Sequence, residues 1–408
     1  MEFSFLQVSD VHLGRPFGWL SPEKRVERRL ELREVWRRTV EEAVSRRVDA
    51  LLVPGDLFDG EEVDPETVNR AIECVSRPDC PPVFIAPGNH DCFSRANVYY
   101  DNHKLQARGQ KVWPEHVHIY TRPEFTATEL PGQPEIKLWG RCVHANVESD
   151  ERILVETPPL DGSSLHVALL HGSRDGFRKP GKRLTAPFSD LELLSAGFDY
   201  VALGHYHEPS EIRDQDGVLR AAYSGSAAAL DRDELGDHGA LEVKLKIEAG
   251  SEREKRLLSV TTTRVEVDPR RLVGIEVDLS DCGSRESARD RVLAALEQNE
   301  VRSQDLVRCQ LMGRPHPGVE VIPEAEDFAG KAWYFHFDAS AVRPAYDLDS
   351  YLTRQPNTTE ERFVRSLLAE IEAEEDREKK AILEAALYYG LDALIQGQVA
   401  PRYEWGLG

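Results

Sequence analysis

Short apolar runs, each about the length of one strand, alternate with longer segments of helical periodicity over roughly the first half of the chain. The run "FSFLQVSD" precedes an amphipathic stretch from Val26 to Arg46. "VDALLVPGD" precedes a second helical segment, Pro65 to Ser76, and "PPVFIAPGNHD" follows it. "IKLWG", "LHVALLHG", a helical segment from Phe188 to Ala196 and "FDYVALGHYH" continue the alternation. Runs this continuously apolar suit strands buried on both faces, so the pattern predicts a layered α/β domain. Around Val265 the character changes. "RLVGIEVDLS", a helix from Arg285 to Gln298, "DLVRCQLMG" and "KAWYFHFD" predict a small β-α-β-β unit, in which the alternating Trp333, Phe335 and Phe337 read as core. From Tyr351 onward the chain reads as helical. Phe363, Val364, Leu367, Leu368 and Ile371 form one stripe behind a capping box, Thr358 to Glu361, and a second stripe runs from Ala381 to Leu394. Such helices, ending a chain that already has a core, are expected to dock on a partner. The expected division is therefore 1–266, 267–345 and 346–408.

Composition narrows the class without naming it. A chain of 408 residues with ordinary apolar and charged content can bury a large core, and it has no run long enough to span a membrane. The start, "MEFSFLQVSD", lacks a basic leader, which predicts no signal peptide. The six cysteines show no Cys-x-x-Cys pairing; reduced, mostly buried thiols in a cytoplasm account for them. A net charge of −21 argues against a protein coated in positive charge for nucleic acid, though not against one with a local basic groove.

The chemistry sits where the strands end. "SDVH" carries Asp10 and His12, "GDLFD" Asp56 and Asp59, "GNHD" Asn89, His90 and Asp91, "LLHG" His171, and "GHYH" His205 and His207. Each alone has a plainer reading: Asp-x-His as a helix cap, Gly-Asp-x-x-Asp as a turn, a single strand-end histidine as a hydrogen-bonded structural residue. The two histidines of "GHYH" project to the same side of an extended segment, which suits one metal cluster. Sites in α/β sheets gather at the carboxyl ends of the strands, so these residues should converge. Together they supply oxygen and imidazole donors without a thiolate, a mixture that suits manganese, iron or zinc in an open site. There are donors enough for two ions, which at about 4 Å apart can clamp a phosphate through in-line displacement.

The ordered set D-x-H, GD-x-x-D, GNHD, H, GH-x-H, spanning residues 9–207, resembles the calcineurin-like metallophosphoesterases. Within them it is similar to the SbcD-type DNA-repair nucleases and their YhaO-like bacterial branch, whose return strands "YSGSAAALDRDELGDHGALEVKL" also resembles. The resemblance implies a layered metallophosphoesterase β-sandwich flanked by helices, a small α/β capping domain and a C-terminal helical tail. It implies two divalent ions, Mn²⁺ foremost, with Asp10, His12, Asp56 and His207 on one and Asp56, Asn89, His171 and His205 on the other. His90 would face the scissile phosphate without binding metal, oriented by Asp91. The implied activity is cleavage of DNA, beside an SMC-like coiled-coil ATPase of the SbcC type; a homodimer is compatible with it. Relatives from archaea and eukaryotes carry a second functional histidine where this chain has Asp59, and bacterial members often show aspartate there. The alternatives are a phosphodiesterase for a small molecule such as a cyclic nucleotide, and a non-catalytic scaffold.

Weaker signals surround this set. Arg174, Arg178, Lys179, Lys182 and Arg183 crowd after His171, either as a phosphate-binding loop or as a solvated one. Arg25, Arg29, Arg33 and Arg37 recur at four-residue spacing among glutamates, which reads as a salt-bridged helix face rather than a DNA contact. Cys92 reads as a small buried residue.

Overall fold

The computed structural model describes residues 2–60, 63–94, 97–144, 151–177, 184–249, 255–317, 322–353 and 357–397. They fall into two compact units, Met1–Pro269 and Arg270–Gly408.

Among its described residues the first unit has twelve strands: β1 (Glu2–Gln7), β2 (Ala50–Val53), β3 (Val83–Ile85), β4 (Val117–Ile119), β5 (Thr126–Leu130), β6 (Gln133–Gly140), β7 (Leu165–His171), β8 (Tyr200–Gly204), β9 (Ser210–Arg213), β10 (Leu219–Tyr223), β11 (Ala240–Ala249) and β12 (Lys255–Val265). They form two six-stranded sheets, ordered β12-β11-β1-β2-β3-β4 and β5-β6-β7-β8-β10-β9. β1 to β4 run parallel in the first, and β6, β7, β8 and β10 in the second. Phe3, Phe5, Leu52 and Phe84 of one sheet pack against Leu138, Val167, Leu169 and Tyr200 of the other, which makes the sandwich core. One polar side chain bridges the layers. Gln7, fully buried, donates to the carbonyls of Leu203 and Ala222 at 3.2 and 2.8 Å and accepts from the Tyr200 hydroxyl at 3.0 Å.

Helices α1 (Pro22–Ser45) and α2 (Pro65–Val75) each begin on a side-chain cap, Ser21 and Asp64, followed by proline. Trp36 of α1 donates to the Ala71 carbonyl of α2 at 3.1 Å. The salt-bridged reading of α1 holds: Arg29 and Arg33 reach Asp64, and Arg37 pairs with Glu34 and Glu41. Arg25 instead donates to the carbonyls of Leu20 and Gly18. After the short helix α3 (Asn102–Ala107), α4 (Asp190–Ser195) opens on a capping box, and its Leu193 joins Ile153, Phe188 and Phe198 over the outer face of β7 and β8. Among the described residues no helix is long and apolar enough to cross a membrane.

In the second unit β13 (Leu272–Asp278), β14 (Leu306–Gly313) and β15 (Tyr334–Val342) form a parallel sheet with α5 (Arg285–Gln298) packed on it. Phe335 and Phe337 belong to its core, as their alternation predicts, whereas Trp333 lies one residue before β15 with the Arg270 guanidinium 4.0 Å from its ring centroid. After α6 (Leu348–Thr353), helices α7 (Thr359–Ala373) and α8 (Arg377–Gln396) pack together, and the expected capping box at Thr358 is present. The expectation that their stripes need a partner is corrected here. Phe363, Val364, Leu367, Leu368 and Ile371 close onto Leu383, Leu387, Tyr388 and Leu391, so much of both stripes is covered within the chain. Ile382, Leu394 and Ile395 are left exposed.

Candidate metal centre

The parallel strands deliver the motif residues to one end of the sandwich. Asp10 lies three residues past β1, Asp56 three past β2, and Asn89 four past β3; His171 ends β7 and His205 follows β8. The loops bond edge to edge, His12 N–H to the Asp56 carbonyl at 3.0 Å and Asp10 N–H to that of Gly55 at 3.2 Å. The sheets join here too, because His171 Nδ1 stands 3.1 Å from the Pro54 carbonyl. Asp10, His12, Asp56 and His205 all have positive φ, at 51°, 52°, 52° and 107°. Backbone held in this region costs on the order of 1–3 kcal/mol per residue and collects at functional sites.

Glycine makes the approach possible at two points. A Cβ on Gly55, whose φ is +91°, would fall 2.2 Å from His171 Nδ1. One on Gly88 would fall 2.3 Å from Asp56 Oδ1 and 2.8 Å from His171 Cε1. Gly88→Ala is accordingly expected to displace the Asp56 carboxylate, costing about 1–3 kcal/mol of stability through overpacking. Mn²⁺ uptake should weaken at least about tenfold, on the order seen when a ligand's support is disturbed. Calorimetric titration with Mn²⁺ checks this, and unchanged uptake would show that the loop shifts to absorb the methyl.

Among the described residues, three overlapping groups each bring one ligand atom per residue within 4.8 Å of the others: Asp10, His12 and His207; His12, Asp56 and His90; Asp10, Asp56 and His171. Asp56 Oδ2 stands 3.6 Å from His12 Nε2 and 3.3 Å from His171 Nε2, which makes it common to both sides of the site. Asn89 Oδ1 lies 3.0 Å from His171 Nε2 and 3.2 Å from His205 Nδ1. His207 Nε2 lies 3.8 Å from Asp10 Oδ1. Donors about 2.0–2.2 Å from one ion stand about 3–3.6 Å apart, so all of these separations but that of His207 and Asp10, which is slightly longer, suit shared coordination. His12 Nε2 is buried without a hydrogen-bond partner while its Nδ1 donates to Asp59 Oδ1 at 2.7 Å. An unsatisfied buried nitrogen beside two carboxylates fits a metal ligand.

The electrostatics agree. Burial works against charge on His171, but the Asp56 carboxylate and its hydrogen bond hold that imidazole up at about 9. Burial likewise opposes a proton on His12, and Asp59 and Asp56 outweigh it. Burial tends to raise Asp56, but His171 and His12 hold it well below the usual carboxylate range. Burial, with His171 beside it, pulls His205 down to about 3. A field that draws protons onto buried imidazoles also draws divalent ions.

Two expectations need correction. Asp91 does not orient His90. Its fully buried carboxylate accepts from the backbone N–H of Gly88, Leu57, Phe58 and Asp56 at 2.7, 2.8, 3.2 and 3.3 Å, and from the Tyr100 hydroxyl at 2.5 Å. Its work is to tie the GNHD turn to the GDLFD turn. The carboxylate beside His90 is Asp59, 3.5 Å from His90 Nδ1, and the His90 side chain is 38% exposed, open to a substrate. Arg174 is not free to meet phosphate either: its guanidinium grips Asp190 through two bonds of 2.6 and 2.5 Å. Arg178, Lys179, Lys182 and Arg183 lie outside the described residues. Cys92 is buried, as expected.

Sequence reasoning passed over Glu234, whose Oε1 accepts from His207 Nδ1 at 2.5 Å, and Tyr100. Burial tends to raise Glu234, but the His207 bond holds it down at about 2. Its signal in the chain is faint, one acid among several in "LDRDELGD".

Residues 3–209, just over half of the chain, match the family described as calcineurin-like phosphoesterase. The chain is 30% identical over 350 residues to the DNA double-strand break repair protein Mre11 of Aeropyrum pernix, covering 80% of this chain and 78% of that protein. It is 27% identical over 248 residues to the metallophosphoesterase YhaO of Bacillus subtilis, covering 58% and 56%. To Mre11 of Saccharolobus solfataricus it is 26% identical over 238 residues, covering 56% and 56%. It thus spans little more than half the length of two of these relatives. The donor chemistry and the sequence match agree, and the chain belongs to the calcineurin-like phosphoesterases, metallophosphoesterases that bind two divalent ions.

Proposed function

We propose that the chain is a two-metal phosphodiesterase that cleaves DNA, working as the nuclease subunit beside an SMC-like coiled-coil ATPase. The observation that carries this reading is one carboxylate, Asp56, shared between two donor clusters, with His90 open to solvent at their edge. Asp10, His12, Asp56 and His207 would hold one ion, and Asp56, Asn89, His171 and His205 the other. Bound there, divalent ions withdraw charge from phosphate oxygens and make water acidic enough to attack near neutral pH. His90 stabilises the charge that develops on the leaving oxygen, by hydrogen bond or proton donation. Asp59 limits where that ring points, and Asp91 fixes the turn that carries it. The similarity to Mre11 over most of the chain supports DNA as substrate. The stretch 178–183 supplies cations for its backbone, and Ile382, Leu394 and Ile395 supply apolar anchors for the ATPase.

A specific observation favours the small-molecule reading: the net charge is −21, and Arg174 is already committed to Asp190. Cleavage assays separate the two. With Mn²⁺ the chain should cut a DNA oligonucleotide and a chromogenic diester; a chelator should abolish both activities, and added Mn²⁺ restore them. Hydrolysis of cyclic nucleotides with DNA left intact would support the small-molecule reading instead.

A further inference from the structure

We infer that Glu234 is a positioning residue for the metal centre and that, with Asp59, it makes the cluster of Asp10, His12 and His207 the one that takes up the first divalent ion. The inference rests on the two-metal reading above. Glu234 lies between β10 and β11, outside the strand-end motifs. Its carboxylate has no proton to give, so His207 Nδ1 must donate across their 2.5 Å contact. That choice leaves the Nε2 lone pair facing Asp10, 3.8 Å away. The glutamate is itself held on several sides. Its Oε2 accepts from Leu230 N–H at 3.0 Å, and its carbonyl lies 2.7 Å from His238 Nε2. His238 Nδ1 is 2.9 Å from Ser226 Oγ, and Ser226 N–H returns to the His207 carbonyl at 3.0 Å, which closes a ring of contacts around the ligand histidine.

Asp59 does the same for His12 at 2.7 Å. Both imidazoles of this cluster are therefore backed by an anion. On the other side His171 is backed by a neutral carbonyl, that of Pro54, and the contact of His205 Nδ1 is with its fellow donor Asn89 Oδ1 rather than with an outer carboxylate. Asp10 and Asp56 reach both sides, so the outer carboxylates make the difference. A carboxylate behind an imidazole makes it a stronger donor and adds negative charge near the ion, and removing one such support commonly costs 10–100-fold in affinity. The doubly backed cluster is therefore the tighter site for a first divalent ion.

Titration of the chelator-treated chain with Mn²⁺, followed by calorimetry and by paramagnetic resonance of free Mn²⁺, tests this. The wild type should show a tight step and a weak one. Glu234→Gln, which keeps the shape and removes the charge, should weaken the tight step about 10–100-fold and leave the weak step unchanged. Nitrogen-15 resonance of the metal-free wild type should show His207 protonated at Nδ1, a readout that needs no folded variant. A tight step untouched by the substitution, both steps weakened alike, or His207 protonated at Nε2 would each overturn the inference while leaving two-metal binding intact. A wild type that takes up no ion overturns the two-metal reading and this inference with it.

Discussion

His90→Ala is expected to lose about 10²–10⁴-fold in turnover on DNA, the usual contribution of a positioned proton donor, while keeping its metal. The structure separates this residue from its neighbour. Asn89 points its amide oxygen at His171 and His205, inside the centre, whereas the His90 ring stands at the edge beside Asp59. Asn89→Ala should therefore bind one ion more weakly, and excess Mn²⁺ should restore part of its activity. His90→Ala should gain nothing from excess ion. Its defect should also shrink on a diester with a p-nitrophenolate leaving group, because that oxygen departs with little help. Metal content by mass spectrometry and rates on both substrates decide the matter. His90 does share a potential ligand group with His12 and Asp56, so loss of metal in His90→Ala would make it a ligand and overturn the assigned role.

The second large effect is structural. Asp91→Ala strands four buried N–H groups and the Tyr100 hydroxyl, all of which now share one carboxylate. Leaving a buried donor unsatisfied costs about 1–3 kcal/mol, and several donors are stranded here at once. A loss near 3–5 kcal/mol in urea unfolding is expected, with Mn²⁺ uptake impaired because the Asp56 and Asn89 turns come apart together. Asp91→Asn should fall between wild type and alanine, since its single oxygen accepts fewer of the five donors. If Asp91→Ala unfolds within about 1 kcal/mol of wild type and binds Mn²⁺ normally, water has replaced the carboxylate and the two turns hold without it.

Much of the fold was legible because its strands are short and continuously apolar. "VDALLVPGD" and "PPVFIAPGNHD" announce both the strand and the turn that follows, and their donors do meet. The strands β4, β5, β9, β10 and β12 were missed; β4 and β9 are only three and four residues long, and β5 alternates too weakly to stand out. The partners of the site histidines were harder still. Asp91 follows His90 directly, yet its carboxylate turns back to the GDLFD loop, because successive residues of a tight turn project in different directions. Glu234 reaches His207 from 27 residues away, a pairing no local pattern encodes. The helical stripes were seen correctly but misassigned, because periodicity shows that a face is apolar and not what covers it.

The left-handed backbone at Asp10, His12, Asp56 and His205 has a consequence for anyone who evolves or redesigns this chain. A screen that selects for heat resistance alone will find easy gains there, since glycine or asparagine relieves the conformation and removes crowded charge. Those variants would be hardier and inert. The sandwich below is where thermal robustness can be improved without cost to chemistry, and selection for activity should be kept on whenever the strand-end loops are open to mutation.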